Sequence, residues 1–132
     1  MASRSLNLVM LIGNVVADVE LKRTTNNTPF CSVVVATNRE WTLASGEKKE
    51  EVQFHRIIAW SKLAEIFGQF LKKGKMVFIE GRLQTRKYTD SDGQERVSTE
   101  IVAENMILLG SPREEREENE EPKKRKENEK KP

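Results

Sequence analysis

Residues 61–74 carry the one convincing helical periodicity in this sequence, and it confines the rest of the chain to folds that need a single helix. Leu63, Ile66, Phe67, Phe70 and Leu71 recur at i, i+3, i+4, i+7 and i+8, which lines one face of a helix. Ser61 stands where an N-cap belongs, Lys72 and Lys73 suit the negative C-terminal end, and Gly74 supplies a stop. The apolar runs on either side are short, rich in β-branched residues and bounded by turn signals, so they read as strands.

Residues 7–15 are apolar at nearly every position and broken by Gly13, whose missing side chain suits a bulge or a close backbone approach. A second strand, residues 30–37, follows the turn-rich stretch 24–29. Residues 38–51 are polar, with Ser45-Gly46, Lys48-Lys49 and an isolated Trp41, and read as a long exposed loop or ribbon. Strand character returns over residues 52–60. After the helix comes residues 76–88, with Gly81 in the middle, then a turn at residues 90–93 and a hairpin partner over residues 95–109. Five strands, two of them broken by glycine, with one helix between the third and fourth give an all-β chain with the order of an OB-fold barrel.

A chain of 132 residues has room for one such domain. Residues 1–109 form it. After Gly110 no aromatic or aliphatic residue occurs, and runs of Glu alternate with runs of Lys and Arg, so residues 110–132 read as a disordered charged tail. From Ser111 onward there are eight basic and eight acidic groups, which leaves the net charge of +2 on the body. That sum is too small to argue for a polyanion partner; affinity would have to come from local arrangement. The longest apolar runs fall far short of a membrane span, and the N-terminus lacks a secretory signal pattern. The expectation is a soluble intracellular protein. Cys31, the one cysteine, reads as a small buried hydrophobe that can form neither an internal disulfide nor, alone, a zinc site.

Holding a single nucleic-acid strand without reading its sequence takes exposed flat rings for the bases and cations for the phosphates, set along one groove. Side chains alternate along a strand, so Phe54, Arg56 and Trp60 share one face of theirs, and Arg82, Arg86 and Tyr88 one face of theirs. Val52 and Ile58 have the same parity as Phe54 and Trp60, so composition alone favours the core for that face. Tyr88 has Arg82, Gln84 and Arg86 as same-face neighbours, which cannot all be buried unpaired. Trp41 sits in polar surroundings that leave its indole without a core to join. Phe30, Phe67, Phe70 and Phe78 lie in regular apolar patterns and are expected in the core.

The segments Ala2-Ser-Arg-Ser-Leu-Asn-Leu-Val-Met-Leu-Ile-Gly-Asn14, Phe54-His-Arg-Ile57, Trp60-Ser-Lys-Leu-Ala-Glu65, Leu71-Lys-Lys-Gly-Lys75, Phe78-Ile-Glu-Gly-Arg-Leu-Gln-Thr-Arg-Lys-Tyr88 and Asp92-Gly-Gln-Glu-Arg96 occur in the order found in one known family. The chain resembles the bacterial and mitochondrial single-stranded-DNA-binding proteins over about residues 3 to 109. The resemblance implies stacking of bases on Trp41, Phe54, Trp60 and Tyr88. Phe54 replaces the family's commoner Trp, and Trp60 its commoner Phe. It also implies phosphate contacts at Arg4, Arg56, Lys62, Lys73, Arg86 and Lys87, and its stacking positions move Phe54 and Trp60 from the core to the groove.

The same resemblance implies a homotetramer built by pairing first strands and then stacking sheets. Leu8 and Met10 would lie at that interface, together with His55, the only histidine. Family members often end in an acidic tip finishing in Ile-Pro-Phe or similar, which recruits replication and repair proteins. The segment Lys126-Glu-Asn-Glu-Lys-Lys-Pro132 has no such anchor, so recruitment by that route is not expected; Lys123–Lys126 could add phosphate contacts, although a solvated spacer is the plainer reading. Sequence-independent binding and protection of single-stranded DNA in replication, recombination and repair is therefore the expected function. The expected location is the cytoplasm, at the nucleoid, with an organelle matrix as the alternative. The rivals are an RNA-preferring OB-fold, a replication-restart accessory of the same fold, and an enzyme. No catalytic residue, metal ligand or cofactor is expected, since the sequence offers no paired carboxylates, Cys/His cluster or glycine-rich phosphate loop.

Overall fold

Six strands and one helix make up the computed structural model, which describes residues 4–110. In chain order they are β1 (Val9–Val15), β2 (Glu20–Arg23), β3 (Pro29–Thr42), β4 (Lys48–Trp60), α1 (Ser61–Phe70), β5 (Met76–Thr89) and β6 (Glu95–Leu109). The expected charged tail lies, Gly110 apart, outside the described residues. Pairing runs β1-β5-β6-β4-β3-β2, and β1 also meets β3, so five strands close into the expected OB-fold barrel with β2 added beside β3. The helix follows the third barrel strand, β4, and precedes the fourth, β5.

Alternation fills the barrel. Cys31, Val33 and Val35 of β3, Ile57 and Ala59 of β4, Val77 and Ile79 of β5, and Ile101 and Ala103 of β6 all point inward and are buried. Ala64 and Phe67 of α1, with Leu71 just beyond it, join the same core. Full burial of a side chain such as Ile57 or Phe67 stabilises by about 1.5–3 kcal/mol. Two glycines allow the strands to approach closely. A Cβ on Gly13 would lie 2.3 Å from the Ala36 carbonyl oxygen, and one on Gly81 would lie 2.2 Å from that of Val102. Gly81 also follows a register shift in the β5–β6 ladder, as its mid-strand position suggests.

The helix ends differ from expectation. Trp60, not Ser61, occupies the N-cap position, and no side chain caps the helix. Strand β4 runs directly into α1 without a loop, so Ser61 takes up the change of direction in the left-handed region, at φ 59°. At the other end Leu71 is extended and buried, and its N–H donates to Phe67 O. The helix therefore stops at Phe70, before Lys72 and Lys73, and Gly74 serves a later turn in which its N–H donates to Val15 O at 2.8 Å. Phe70, expected in the core, is 48% exposed in the last helical position.

Two further differences concern strands. Glu20–Arg23 pairs with β3 although all four residues are exposed, because a backbone ladder needs no apolar pattern, beside a turn closed by Thr24 and Thr28; Arg23 also pairs with Glu65 of α1 at 3.6 Å. Most of the polar stretch 38–51 is a two-stranded ribbon: β3 and β4 stay paired from Asn38↔Val52 out to Thr42↔Lys48. Its turn uses Gly46 at φ 92°. The β5–β6 hairpin projects likewise, and its turn is organised by Asp90. The carboxylate accepts from Arg96 Nε at 2.7 Å and from the N–H groups of Asp92 and Gln94. Arg96 foremost, then those amides, hold its pKa below the ordinary carboxylate value. No helix among the described residues is long and apolar enough to cross a membrane.

Candidate nucleic-acid interface

Since Ile57 and Ala59 face inward, Phe54, Arg56, Ile58 and Trp60 must face outward from β4. Phe54 is 64% and Trp60 44% exposed. Parity thus separates core from surface with the opposite assignment to the one composition favours. Phe30 stands opposite Trp60 in the ladder, and the two rings stack with centroids 5.3 Å apart and planes 29° from parallel. Phe30, expected in the core, is therefore half-buried as the support of Trp60, because its inward-facing neighbour is Cys31.

Below these rings an open pocket of about 420 Å³ runs across the barrel wall, with Arg56, Trp60, Gln84, Arg86 and Glu100 among its lining. The Nε of Arg86 lies 3.3 and 3.2 Å from the two carboxylate oxygens of Glu100, and that of Arg56 lies 3.7 Å from one of them. The Arg86 guanidinium also sits over the Tyr88 ring, 5.5 Å from its centroid. From β2, Lys22 adds a cation and Glu20 an anion to the rim. Phe30, Lys22 and Glu100 were not legible as site residues. The alternation Gln84, Arg86, Tyr88 pointed to the face, but nothing in Ser98-Thr-Glu100 announces a buried acid across from it.

Trp41 belongs to the ribbon, where it stands opposite Lys49, and the Arg39 guanidinium lies 4.3 Å from its ring centroid. In strand parity it falls on the other side of the ribbon from Phe54, so it does not line the pocket. Lys62 lies in the first turn of α1, and Lys73 follows the helix with its backbone N–H donating to Asp18 Oδ1 at 2.9 Å. Lys87 lies on the face of β5 opposite to Arg86. Arg4 is exposed ahead of β1. Of the expected DNA-contacting residues, the structure gathers Phe54, Arg56, Trp60, Arg86 and Tyr88 on the outer surface of β4 and β5, and leaves the other five around it.

Leu8 and Met10 are exposed on or just before β1. His55 is half-buried, with Nε2 2.9 Å from Thr37 Oγ1. Neither His55 nor Cys31 lines the pocket. Burial pushes the Cys31 thiol up to about 11. Among the described residues no group of three or more His, Cys, Asp or Glu side chains could hold a metal ion.

The model of the Single-strand binding protein family matches residues 6–109. The chain belongs to that family. A structure titled as the Plasmodium falciparum single-strand binding protein in complex with single-stranded DNA is 30% identical, covers 83% of this chain and 100% of its own, and superposes with a TM-score of 0.75. A deletion mutant of the single-stranded DNA binding protein from Thermus aquaticus is also 30% identical, covering 81% of this chain and 52% of its own, with a TM-score of 0.71. Matched length and barrel coincide, because β1 through β6 end at Leu109.

Proposed function

We propose that this protein coats single-stranded DNA by stacking bases on Phe54, Trp60 and Tyr88 while Arg56 and Arg86 hold the backbone. Binding of single-stranded DNA in replication and repair follows from its family; the residues are our reading. The observation that carries it is the surface on which two exposed rings of β4 alternate with Arg56 and continue to Arg86 and Tyr88 of β5. Exposed aromatic rings suit unstacked bases, which a duplex would not offer. Trp41 and its ribbon, with Lys48 and Lys49, extend the contact beyond the barrel, and Lys62, Lys73, Lys87 and Arg4 add peripheral charge. The protein acts by binding alone, a reading supported by the placement of His55 and Cys31 away from the groove.

We also propose that copies associate through β1. Along Val9–Gly13 its second edge pairs with nothing among the described residues, since β3 meets it only at Asn14 and Val15. Met10 and Ile12 are about 60% exposed, and Ile12, Phe78 and Ile107 form one outward apolar row across β1, β5 and β6. A second copy of β1 would satisfy that edge and cover Leu8, Met10 and the row. His55, tied to Thr37, belongs to the same proposed interface. Light scattering with and without oligo(dT) tests both readings: more than one subunit and a DNA-dependent mass increase are expected, and a monomer that ignores oligo(dT) would overturn both.

A further inference from the structure

We propose that Glu100 is the positioning residue of the groove, a buried carboxylate that sets Arg56 and Arg86 in place before DNA arrives; this rests on the DNA reading above. Glu100 is 3% exposed, whereas both arginines are about half exposed, so the guanidinium groups lie on the solvent side of the acid. Both approach it through Nε, and Ser98 Oγ lies 3.5 Å from the same carboxylate. Among the described residues the Nη ends of Arg56 and Arg86 have no hydrogen-bond partner. They remain for phosphate oxygens, to which guanidinium donors are well matched.

Structural need does not account for the acid. Half-exposed arginines can be solvated without it, and a buried ion pair is often replaceable by apolar residues without loss of stability. An acid beneath a polyanion site also opposes binding electrostatically, which an unselective basic patch would avoid. What it supplies is order. Arginine has a long side chain with many rotamers, and each one immobilised in advance removes a cost from the binding step. The acid also spans the barrel: Arg56 comes from β4, Arg86 from β5 and Glu100 from β6, so one carboxylate fixes the relative placement of cations on two strands.

The test is tryptophan-fluorescence titration of the full chain with oligo(dT), together with thermal melts. Glu100→Gln is expected to weaken binding about tenfold, the scale for two long side chains ordered on binding rather than beforehand. In an Arg56→Gln/Arg86→Gln background the same change should have no further effect. A purely structural role would weaken binding in both backgrounds, and that result overturns the proposal, as does unchanged or tighter binding by Glu100→Gln. If Glu100→Gln does not fold, Arg56→Lys and Arg86→Lys decide: each keeps the charge but lacks the Nε grip, and wild-type affinity in both would overturn it. Should Arg56→Gln/Arg86→Gln bind like wild type, the arginine groove itself fails; should only Glu100→Gln be silent, positioning alone fails.

Discussion

Trp60 stacks against Phe30 yet stays 44% exposed, which leaves ring surface for a base. Trp41 differs, since Arg39 already lies near its ring. These two are the only tryptophans, and both reporters of intrinsic fluorescence are therefore exposed to DNA in the proposed complex. Fluorescence should fall strongly on adding oligo(dT). Trp60→Phe should remove part of that fall with affinity nearly kept; an unchanged absolute drop would take Trp60 out of the groove. Phe54→Ala should weaken binding about five- to 150-fold, the range for a lost stack of roughly 1–3 kcal/mol. Sequence alone could not place this face, because strand parity divides residues into two sets without saying which set is inside. Val52 and Ile58 pulled the assignment inward; Phe54 and Trp60 were placed only by resemblance. Glu100 stayed hidden because its partners come from other strands.

At the level of elements, strands with strong apolar patterns were legible and their ends were not. Strand β6 matches its expected bounds, whereas β3 and β4 run on as a polar ribbon that the loss of apolar alternation disguised as loop. The helix was legible from its periodicity, but its caps were decided by tertiary demands: the abrupt exit from β4 and the burial of Leu71. The glycine breaks did carry structural meaning. Gly13→Ala and Gly81→Ala would each drive a methyl group into a backbone carbonyl, and melting should show a loss of about 1–3 kcal/mol or more for each. At the β5–β6 turn, Asp90 has a lowered pKa, so its contribution to stability is fully present above the unfolded-state value and disappears as pH falls through the folded one. Asp90→Asn should reduce the melting temperature at neutral pH, and the gap from wild type should close at low pH; a pH-independent gap would argue against the Arg96 pairing as its cause.

For the whole molecule, net charge says little and placement says much. Binding to oligo(dT) should weaken steeply with salt, and replacing Arg56 or Arg86 by Gln should lessen the slope by about 0.7 each, the value for one phosphate contact on a single strand. A flat salt response would reject the arrangement. Because the barrel closes using residues no later than Leu109, removing residues 111–132 should leave folding and DNA binding essentially intact; circular dichroism and the same titration would check it. The barrel is also closed unevenly. β3–β4 and β5–β6 are long hairpins between neighbours in sequence, but the β4–β6 ladder is paired only at Ile57↔Ile101 and Ile58↔Val102, in the one parallel pairing among the described residues. Hairpins can form early, while a parallel contact between distant segments must await the closure of a long loop. The groove lies over that seam, with Arg56 on one side and Glu100 on the other, so the surface for DNA would be the last part of the barrel to assemble and the first to come apart.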